Sequence, residues 1–156
     1  MTTFSLHLSD TTSEDTRQAI LAPLRAYNQS KTGPLDHRGL AIELRDEQGA
    51  TIGGLWGGTS FGWLFIQLLA VPETLRGQGV GRALMAQAEA EAASRGCHAV
   101  WLDTFEFQAR GFYERLGYTC FGQLENFPTG FARFFMQKSI AAAQSPSTSE
   151  DRGTKG

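Results

Sequence analysis

Apolar and polar residues alternate along several short stretches of the chain, and this alternation is typical of β-strands. It predicts strands over residues 4–8, over LAIELRD (40–46) and over ATIGGLWGG (50–58). GWLFIQLLAV (62–71) and HAVWLDT (98–104) are nearly continuous apolar runs, as in strands buried on both faces. YTCFGQL and GFARFFMQKSI complete the set as a final pair of strands around the turn NFPTG.

Three other stretches follow the helical period. After the hydroxyl and acidic residues TTSED, the residues Ile20, Leu24 and Tyr27 share one face of a predicted helix. A second helix is predicted over about residues 79–95, with Gly96 just after its end. QARGFYERLG predicts a short third helix that stops at Gly117.

The predicted order is β-α-β-β-β-α-β-α-β-β, which indicates an α/β fold with a mixed central sheet flanked by helices. The strand, helix and strand between residues 62 and 104 predict a right-handed parallel unit at its centre. We expect one domain over residues 1–140. The small and polar tail, residues 141–156, is expected to be disordered.

Composition excludes several functional classes. The formal net charge is -2 and the isoelectric point about 5.9, so there is no basic field for nucleic acid or anionic lipid. The two cysteines and three histidines show no metal-ligand spacing, and we expect no metal. No secretory signal and no apolar run near 20 residues is found, so we expect a cytoplasmic protein without a membrane span.

The segment RGQGVGR joins the apolar run at 62–71 to the second predicted helix. Gly77, Gly79 and Gly81 let the backbone curl with its amides inward, and the helix start carries free N–H groups and a partial positive charge. Arg76 and Arg82 flank the segment with fixed positive charges. The sequence therefore predicts a phosphate site here.

Two sequence patterns identify the phosphate ligand. The dinucleotide pattern GxGxxG would need glycine where Arg82 stands, and the P-loop pattern lacks its lysine. The pattern [RQ]-x-x-G-x-[GA] fits, and ARGFYERLGY supplies a second pattern, A-x-x-x-Y-x-x-x-G-[FY], at the right distance. The chain thus resembles the GNAT family of N-acetyltransferases, firmly over residues 68–121 and with agreeing flanks from 4 to 140.

The resemblance implies acetyl-coenzyme A as the acyl donor. It implies that the strand before the glycine loop and the strand after the helix splay apart, that pantetheine lies in the opening, and that loop amides hold the pyrophosphate. An amide near Leu69 or Ala70 is the expected oxyanion donor. The implied coenzyme-binding residues are Leu69, Ala70, Val71, Arg76, Gly77, Gln78, Gly79, Val80, Gly81, Arg82 and Glu106. At Glu106 the family often has asparagine, so that contact differs here.

Tyr113 is the residue that the resemblance assigns as general acid for the leaving thiolate. An ordinary phenol pKa near 10 against a thiol near 8.5 suits a late proton donation. Its helical spacing with Ala109, Phe112 and Leu116 also fits a core aromatic. Asp103 is the acid nearest the expected cleft and the candidate general base, with capping of the next loop as its alternative role.

The acceptor is less defined by the sequence. We expect direct attack, in a ternary complex, by a primary amine of a small molecule. A protein lysine or N-terminus, and a non-catalytic acyl-coenzyme A-binding regulator, are the alternatives, and a homodimer is possible. Asp36, His37, Phe61, Trp63 and Phe127 are candidate pocket residues.

Overall fold

The computed structural model describes residues 2–143, which divide into two compact units between Leu35 and Asp36. The single domain over residues 1–140 stays a prediction. Of the tail expected to be disordered, residues 144–156 lie outside the described part. Within the part that is described, the Ala143 amide donates a hydrogen bond to the Ala93 carbonyl at 3.0 Å.

The first unit contains one helix, α1, over Glu14–Thr32. It begins where the sequence predicts, because the Ser13 hydroxyl accepts a hydrogen bond from the Thr16 amide at 3.1 Å. Glu14 and Asp15 add negative charge to the first turn, which suits the helix dipole. No residue of α1 is buried within this unit.

The strand predicted over residues 4–8 is wrong. These residues have no regular secondary structure, and Phe4, Leu6 and Leu8 are 81%, 90% and 97% exposed. An alternating pattern gives the side chains their period, but a strand also needs a neighbour for its backbone groups. The pattern does not supply that neighbour.

The second unit is built on a six-stranded mixed sheet in the order β1-β2-β3-β4-β6-β5. Among the described strands, only β3 and β4 are parallel neighbours, and helix α2 connects them, which confirms the predicted central crossover. The remaining neighbours are antiparallel. The elements of this unit are β1 Arg38–Arg45, β2 Thr51–Ser60, β3 Trp63–Ala70, a 3-10 turn Glu73–Leu75, α2 Val80–Ser94, β4 Ala99–Phe105, α3 Arg110–Arg115, β5 Thr119–Leu124 and β6 Arg133–Ser139.

One face of the sheet packs on α2 and α3 to form the core. Alternate residues of β3, β4 and β6 point to it, and α2 contributes the apolar side of its alanine-rich sequence. Burial of this apolar surface is the main term that holds the unit together. The most deeply buried of these side chains are Leu64, Met85, Ala88, Ala92, Val100, Leu102 and Met136.

A polar cluster, which we call the Glu89 cluster, joins α2 to β6. Glu89 accepts hydrogen bonds from the Tyr118 hydroxyl at 2.7 Å and from the Lys138 ammonium at 2.9 and 3.1 Å. Tyr118 is 2% exposed, and Lys138 also lies 5.5 Å from the centre of its ring. The paired charges satisfy a polar group that would otherwise be buried at a cost.

Candidate active site

The central parallel strands separate at their carboxyl ends. Pairing between β3 and β4 runs from Trp63 with Ala99 to Ile66 with Leu102 and stops there. Beyond this point β3 continues to Ala70 beside β2 alone, while β4 continues beside β6. The backbone of residues 67–70 therefore has a side without a strand partner, in the position where the sequence predicts an opening.

The glycine segment follows this opening and is exposed. Gly77 and Gly79 have φ of 75° and 79°, a region that L side chains rarely adopt, although a Cβ on either would meet nothing within 4 Å. Glycine is therefore favoured at these two positions by the positive φ angle and not by a lack of space for a side chain. The Arg76 Nε lies 3.4 Å from the Val71 carbonyl oxygen. The Gln78 side-chain nitrogen lies 3.3 Å from the Thr74 carbonyl oxygen.

A run of backbone amides in this segment is free. The Arg76 amide donates to the Glu73 carbonyl, and the next donor is Ala83, whose amide reaches the Gly79 carbonyl at 3.0 Å. Within the described chain, none of the backbone amides of residues 77–82 donates a hydrogen bond to a backbone carbonyl. Gly79 is the N-cap of α2 without a side-chain cap, and the first turn carries no acid. Unpaired donors and the helix dipole together favour an anion.

Gly81 has a different role from the other two glycines. A Cβ there would lie 3.2 Å from the Phe112 ring and 3.8 Å from a Val71 methyl group. Phe112 belongs to α3, the short helix of the second sequence pattern. The absence of a side chain at Gly81 therefore lets α3 approach the start of α2, and this contact links the two patterns in space.

Tyr113 lies on α3 and is 8% exposed. Its ring packs edge-on against Phe112 and Tyr118, with centroids 5.1 and 5.9 Å away. Burial raises the pKa of Tyr113 to about 12, and the negative charge of Asp103 adds to the rise. The described residues contain no fully buried side-chain polar atom that lacks a hydrogen bond. Because no partner of the Tyr113 hydroxyl is found among them, this hydroxyl reaches solvent.

The raised pKa changes one premise of the sequence analysis. The ordinary value near 10 is replaced by about 12, because the environment of Tyr113 disfavours the phenolate. The phenol therefore stays protonated through neutral pH and is a hydrogen donor, not a base. It is also a weaker acid than a phenol in water.

Asp103 lies on β4 and forms an ion pair with Arg133 of the neighbouring strand. Its Oδ1 accepts from the Arg133 Nε at 2.8 Å and lies 2.6 Å from the second guanidinium nitrogen. The Asp103 and Arg133 side chains are 18% and 24% exposed. The alternation of β4 places Asp103 on the sheet face opposite Leu102 and the core. The negative charge of Asp103 nevertheless contributes to the raised pKa of Tyr113, so the two groups interact electrostatically.

The loop after β4 is organised by residues that the sequence analysis did not single out. The Gln108 side-chain oxygen accepts from the Phe105 amide at 2.9 Å and from the Thr104 hydroxyl at 3.2 Å. That hydroxyl lies 3.5 Å from the Ala109 amide at the start of α3. The capping role considered for Asp103 therefore belongs to Thr104 and Gln108. Hydroxyl and amide side chains near a helix start were the available signal.

Glu106 connects this loop to the start of β6. Its Oε2 accepts from the Ala132 amide at 2.8 Å, and its own amide donates to the Ala132 carbonyl at 2.9 Å. One carboxylate oxygen therefore has a structural task. The implied coenzyme contact of Glu106 stays a prediction.

The acceptor-pocket candidates do not all come together. Asp36 accepts a hydrogen bond from the Phe61 amide at 2.9 Å, and Trp63 packs edge-on against His98 at 5.6 Å. These contacts surround the β2–β3 turn, at the opposite end of β3 from Ala70. Phe127, in contrast, lies 6.0 Å from Phe105 at the carboxyl end of β4.

A separate groove of about 560 Å³ lies between β1 and α2. It contains neither the glycine segment nor Tyr113, so we do not assign it to the candidate site. Its walls include Leu40, Ile42, Gln87, Glu91 and Arg95.

An acyltransferase fold is defined by three features: the separated parallel strands, the free amides at the start of α2, and α3 with its Tyr113. Comparison with known proteins agrees. The model of the acetyltransferase (GNAT) family matches residues 7–118, and the chain belongs to this family. It is an enzyme of the N-acetyltransferase class.

Several relatives are similar over most of their length. Acetyltransferase Atu2258 of Agrobacterium fabrum is 42% identical over 131 residues, 84% of this chain and 96% of the relative. Blasticidin-S acetyltransferase of Streptomyces morookaense is 35% identical over 130 residues, 83% of this chain and 94% of the relative. A crystal structure of an acetyltransferase from Agrobacterium tumefaciens has a TM-score of 0.83 at 40% identity, covering 88% of this chain and all of that one.

Within residues 2–143, no helix is both long and apolar enough to cross a membrane. In the same described part of the chain, no group of three or more His, Cys, Asp or Glu side chains is arranged to hold a metal ion.

Proposed function

We propose that this acetyltransferase uses acetyl-coenzyme A and transfers its acetyl group to a primary amine of a small molecule. The observation that carries the proposal is the exposed glycine segment, with consecutive free amides at the start of a 15-residue helix, directly after the open end of β3. A diphosphate group fits such a donor set. When bound, acetyl-coenzyme A would supply an acetyl thioester.

The residues present fit this cosubstrate. Gly77 and Gly79 keep the segment in a conformation that exposes its amides, and Arg76 and Arg82 add positive charge beside them. The side of residues 67–70 that faces the opening offers backbone donors and acceptors to an extended chain, as an additional strand would. Leu69, Ala70 and Val71 are the residues proposed to hold pantetheine.

The reaction needs a nucleophile, an oxyanion donor and a proton donor. The neutral amine forms a bond to the acetyl carbon, the carbon–sulfur bond breaks, the sulfur receives a proton, and the nitrogen loses one. We assign the oxyanion contact to an amide near Leu69 or Ala70, whose opening-facing side has no strand partner. A donor that the fold already holds in place does not have to reorganise as charge develops.

Tyr113 is the proposed proton donor. It is protonated at neutral pH, no described residue hydrogen-bonds its hydroxyl, and it lies on the helix that packs against Gly81. The pKa of Tyr113 is about 12 and that of a thiol about 8.5, so proton transfer from the phenol to the thiolate is unfavourable by roughly 3 to 4 pKa units. We therefore assign it first a hydrogen bond to the developing thiolate, followed by proton transfer as the product leaves. Asp103 is the proposed base that receives the amine proton, directly or through water.

A small-molecule acceptor is supported by a relative. The Streptomyces morookaense relative is a blasticidin-S acetyltransferase, so its acceptor is a small molecule, and it is 35% identical across 83% of this chain. For a protein lysine we would look for an open groove lined by exposed strand edges, the usual way of holding an extended peptide. The groove beside β1 and α2 is lined by residues 39–42 of β1 and by residues 87–95 from α2 onward, and it includes neither the glycine segment nor Tyr113.

The test is an amine screen that measures free thiol from acetyl-coenzyme A. We expect thiol release with at least one small primary amine, and a loss of tenfold or more in turnover in Tyr113→Phe. Coenzyme A affinity and melting temperature should stay within error of wild type in this variant, because only one solvent-accessible oxygen is removed. Unchanged turnover would contradict the role of Tyr113.

Thermal shifts separate the other readings. Coenzyme A at 100 times its dissociation constant should stabilise the protein by about 2.7 kcal/mol, whereas ATP and NAD should not. Stabilisation by coenzyme A without thiol release from any amine would instead favour a binding regulator. Thiol release only with peptides would favour a protein acetyltransferase.

A further inference from the structure

Four phenylalanine rings meet at the carboxyl end of β4, and we call them the phenylalanine cluster. Phe105 and Phe107 are nearly parallel, with centroids 5.3 Å apart and an interplanar angle of 8°. Phe127 packs edge-on to Phe105 at 6.0 Å, and Phe131 packs edge-on to Phe107 at 5.1 Å. The rings come from two separate segments: Phe105 ends β4 and Phe107 follows in the next loop, whereas Phe127 and Phe131 belong to the β5–β6 connection.

The cluster is not part of the hydrophobic core. Phe107, Phe127 and Phe131 are 56%, 42% and 43% exposed, and none of the four is among the buried core residues. A continuous exposed aromatic surface adds little to folding and more often marks a place where something binds. The chain keeps these rings assembled in spite of their exposure to water.

The position of the cluster connects it to the proposed reaction. Phe105 follows Asp103 by two residues on β4, so both point to the sheet face opposite α2 and α3. Helix α2, which begins at the glycine segment, packs on the other face. A donor bound by the glycine segment would enter the opening from the α2 side, which leaves the cluster's side for the acceptor.

Charge around the cluster suits a cation. Asp103, Glu106 and Glu125 lie at or beside its segments in the sequence, together with two guanidinium groups, those of Arg110 and Arg133. Arg133 is itself 5.1 Å from the centre of the Phe105 ring and 4.7 Å from that of Phe127. The rings therefore already hold one planar cation, and the acids outnumber the bases. A primary amine arrives as an ammonium ion at neutral pH.

We infer that the phenylalanine cluster is the acceptor-binding surface and that the acceptor is an amine carried on a planar aromatic ring. This inference rests on the proposed function. The two parallel rings and the two edge-on rings offer both faces and edges to a further flat ring, the arrangement in which aromatic pairs gain energy beyond area burial. A flexible aliphatic amine would bury area there without that gain.

The experiment compares two amines of similar size by calorimetry with coenzyme A present. 2-Phenylethylamine and 2-cyclohexylethylamine differ in the planarity and π-system of the ring. We expect wild type to bind the aromatic amine roughly 3- to 10-fold more tightly. In Phe107→Leu the preference should fall to near unity. Phe121→Leu is the control, because Phe121 is 53% exposed on β5, where it contacts Phe135 and not the cluster.

Other outcomes overturn the inference. Equal binding of the two amines by wild type, no binding of either, or the same preference in Phe107→Leu would each do so. A change of oligomeric state in Phe107→Leu with unchanged amine binding would assign the cluster to an interface instead.

Failure of the inference differs from failure of the proposed function. Thiol release with aliphatic amines but no ring preference would remove the inference and keep the function. Ring binding with no thiol release from any amine would contradict the function and, with it, the assignment of the cluster to an acceptor.

Discussion

A single added methyl group at Gly79 should weaken coenzyme A binding through the backbone alone. Gly79 has φ 79° and ψ 10°, and a Cβ there would meet no atom within 4 Å, so Gly79→Ala introduces conformational strain without a clash. An alanine in this left-handed region is disfavoured by about 1–2 kcal/mol. The segment is exposed, so it can relax to a conformation that the alanine prefers.

The same free energy then appears in binding. If the relaxed segment must return to the left-handed conformation to present its amides, the dissociation constant for coenzyme A rises by roughly 5- to 30-fold, the equivalent of about 1–2 kcal/mol. Calorimetric titration with coenzyme A measures this change, and thermal melts without ligand measure any loss of stability.

Gly96 provides a matched control. Its φ is 81°, a Cβ there would also meet nothing within 4 Å, and it lies after the opposite end of α2. Gly96→Ala should lower the melting temperature by roughly 2–4 °C per kcal/mol of strain and leave coenzyme A affinity unchanged. If both variants bound coenzyme A as wild type does, the role of the segment's conformation would be refuted.

Three further predictions concern ionisation, the polar cluster and the thiols. The pKa of Tyr113 is raised above its unfolded value near 10, so the stability that it contributes is complete below pH 10 and is lost as the pH rises through about 12. Urea unfolding at a series of pH values should show this fall in stability, and the fall should be smaller in Tyr113→Phe. Glu89→Gln should lower the free energy of unfolding by about 2 kcal/mol, because it removes the carboxylate of the Glu89 cluster. Glu114→Gln breaks an exposed ion pair and should change this free energy by less than about 0.5 kcal/mol. Equal effects of the two substitutions would contradict this prediction. Burial raises the pKa of the Cys97 thiol, which is 2% exposed, so a thiol reagent at pH 8 should modify Cys120 first; faster loss of Cys97 would show that the core opens.

Local signals in the sequence predicted the central part of the fold well. Proline and glycine mark the ends of β3 and α2, and the change from a continuous apolar run to a helical period between them indicates a strand–loop–helix unit. The helix was predicted over about 79–95 and runs over Val80–Ser94. Such features are visible because the residues that cause them are neighbours in the chain.

Features that depend on distant residues were not predictable in this way. The alternation at residues 4–8 could not show whether a pairing strand is available, and that prediction was wrong. Asp103 and Arg133 are 30 residues apart, and their ion pair depends on the β4–β6 register. The phenylalanine cluster likewise joins the end of β4 and its following loop to the distant β5–β6 connection. Of its four rings, the sequence analysis singled out Phe127 alone.

The central claim is that the free amides before α2 hold the diphosphate of coenzyme A, and an amide-resolved NMR titration tests it most directly. Coenzyme A and pantetheine, which lacks the diphosphate, would be titrated into ¹⁵N-labelled protein. We predict that coenzyme A shifts the amide signals of residues 77–82 strongly and that pantetheine leaves them nearly unchanged. Saturation with coenzyme A that left these six positions unmoved, or equal shifts with both ligands, would contradict the account.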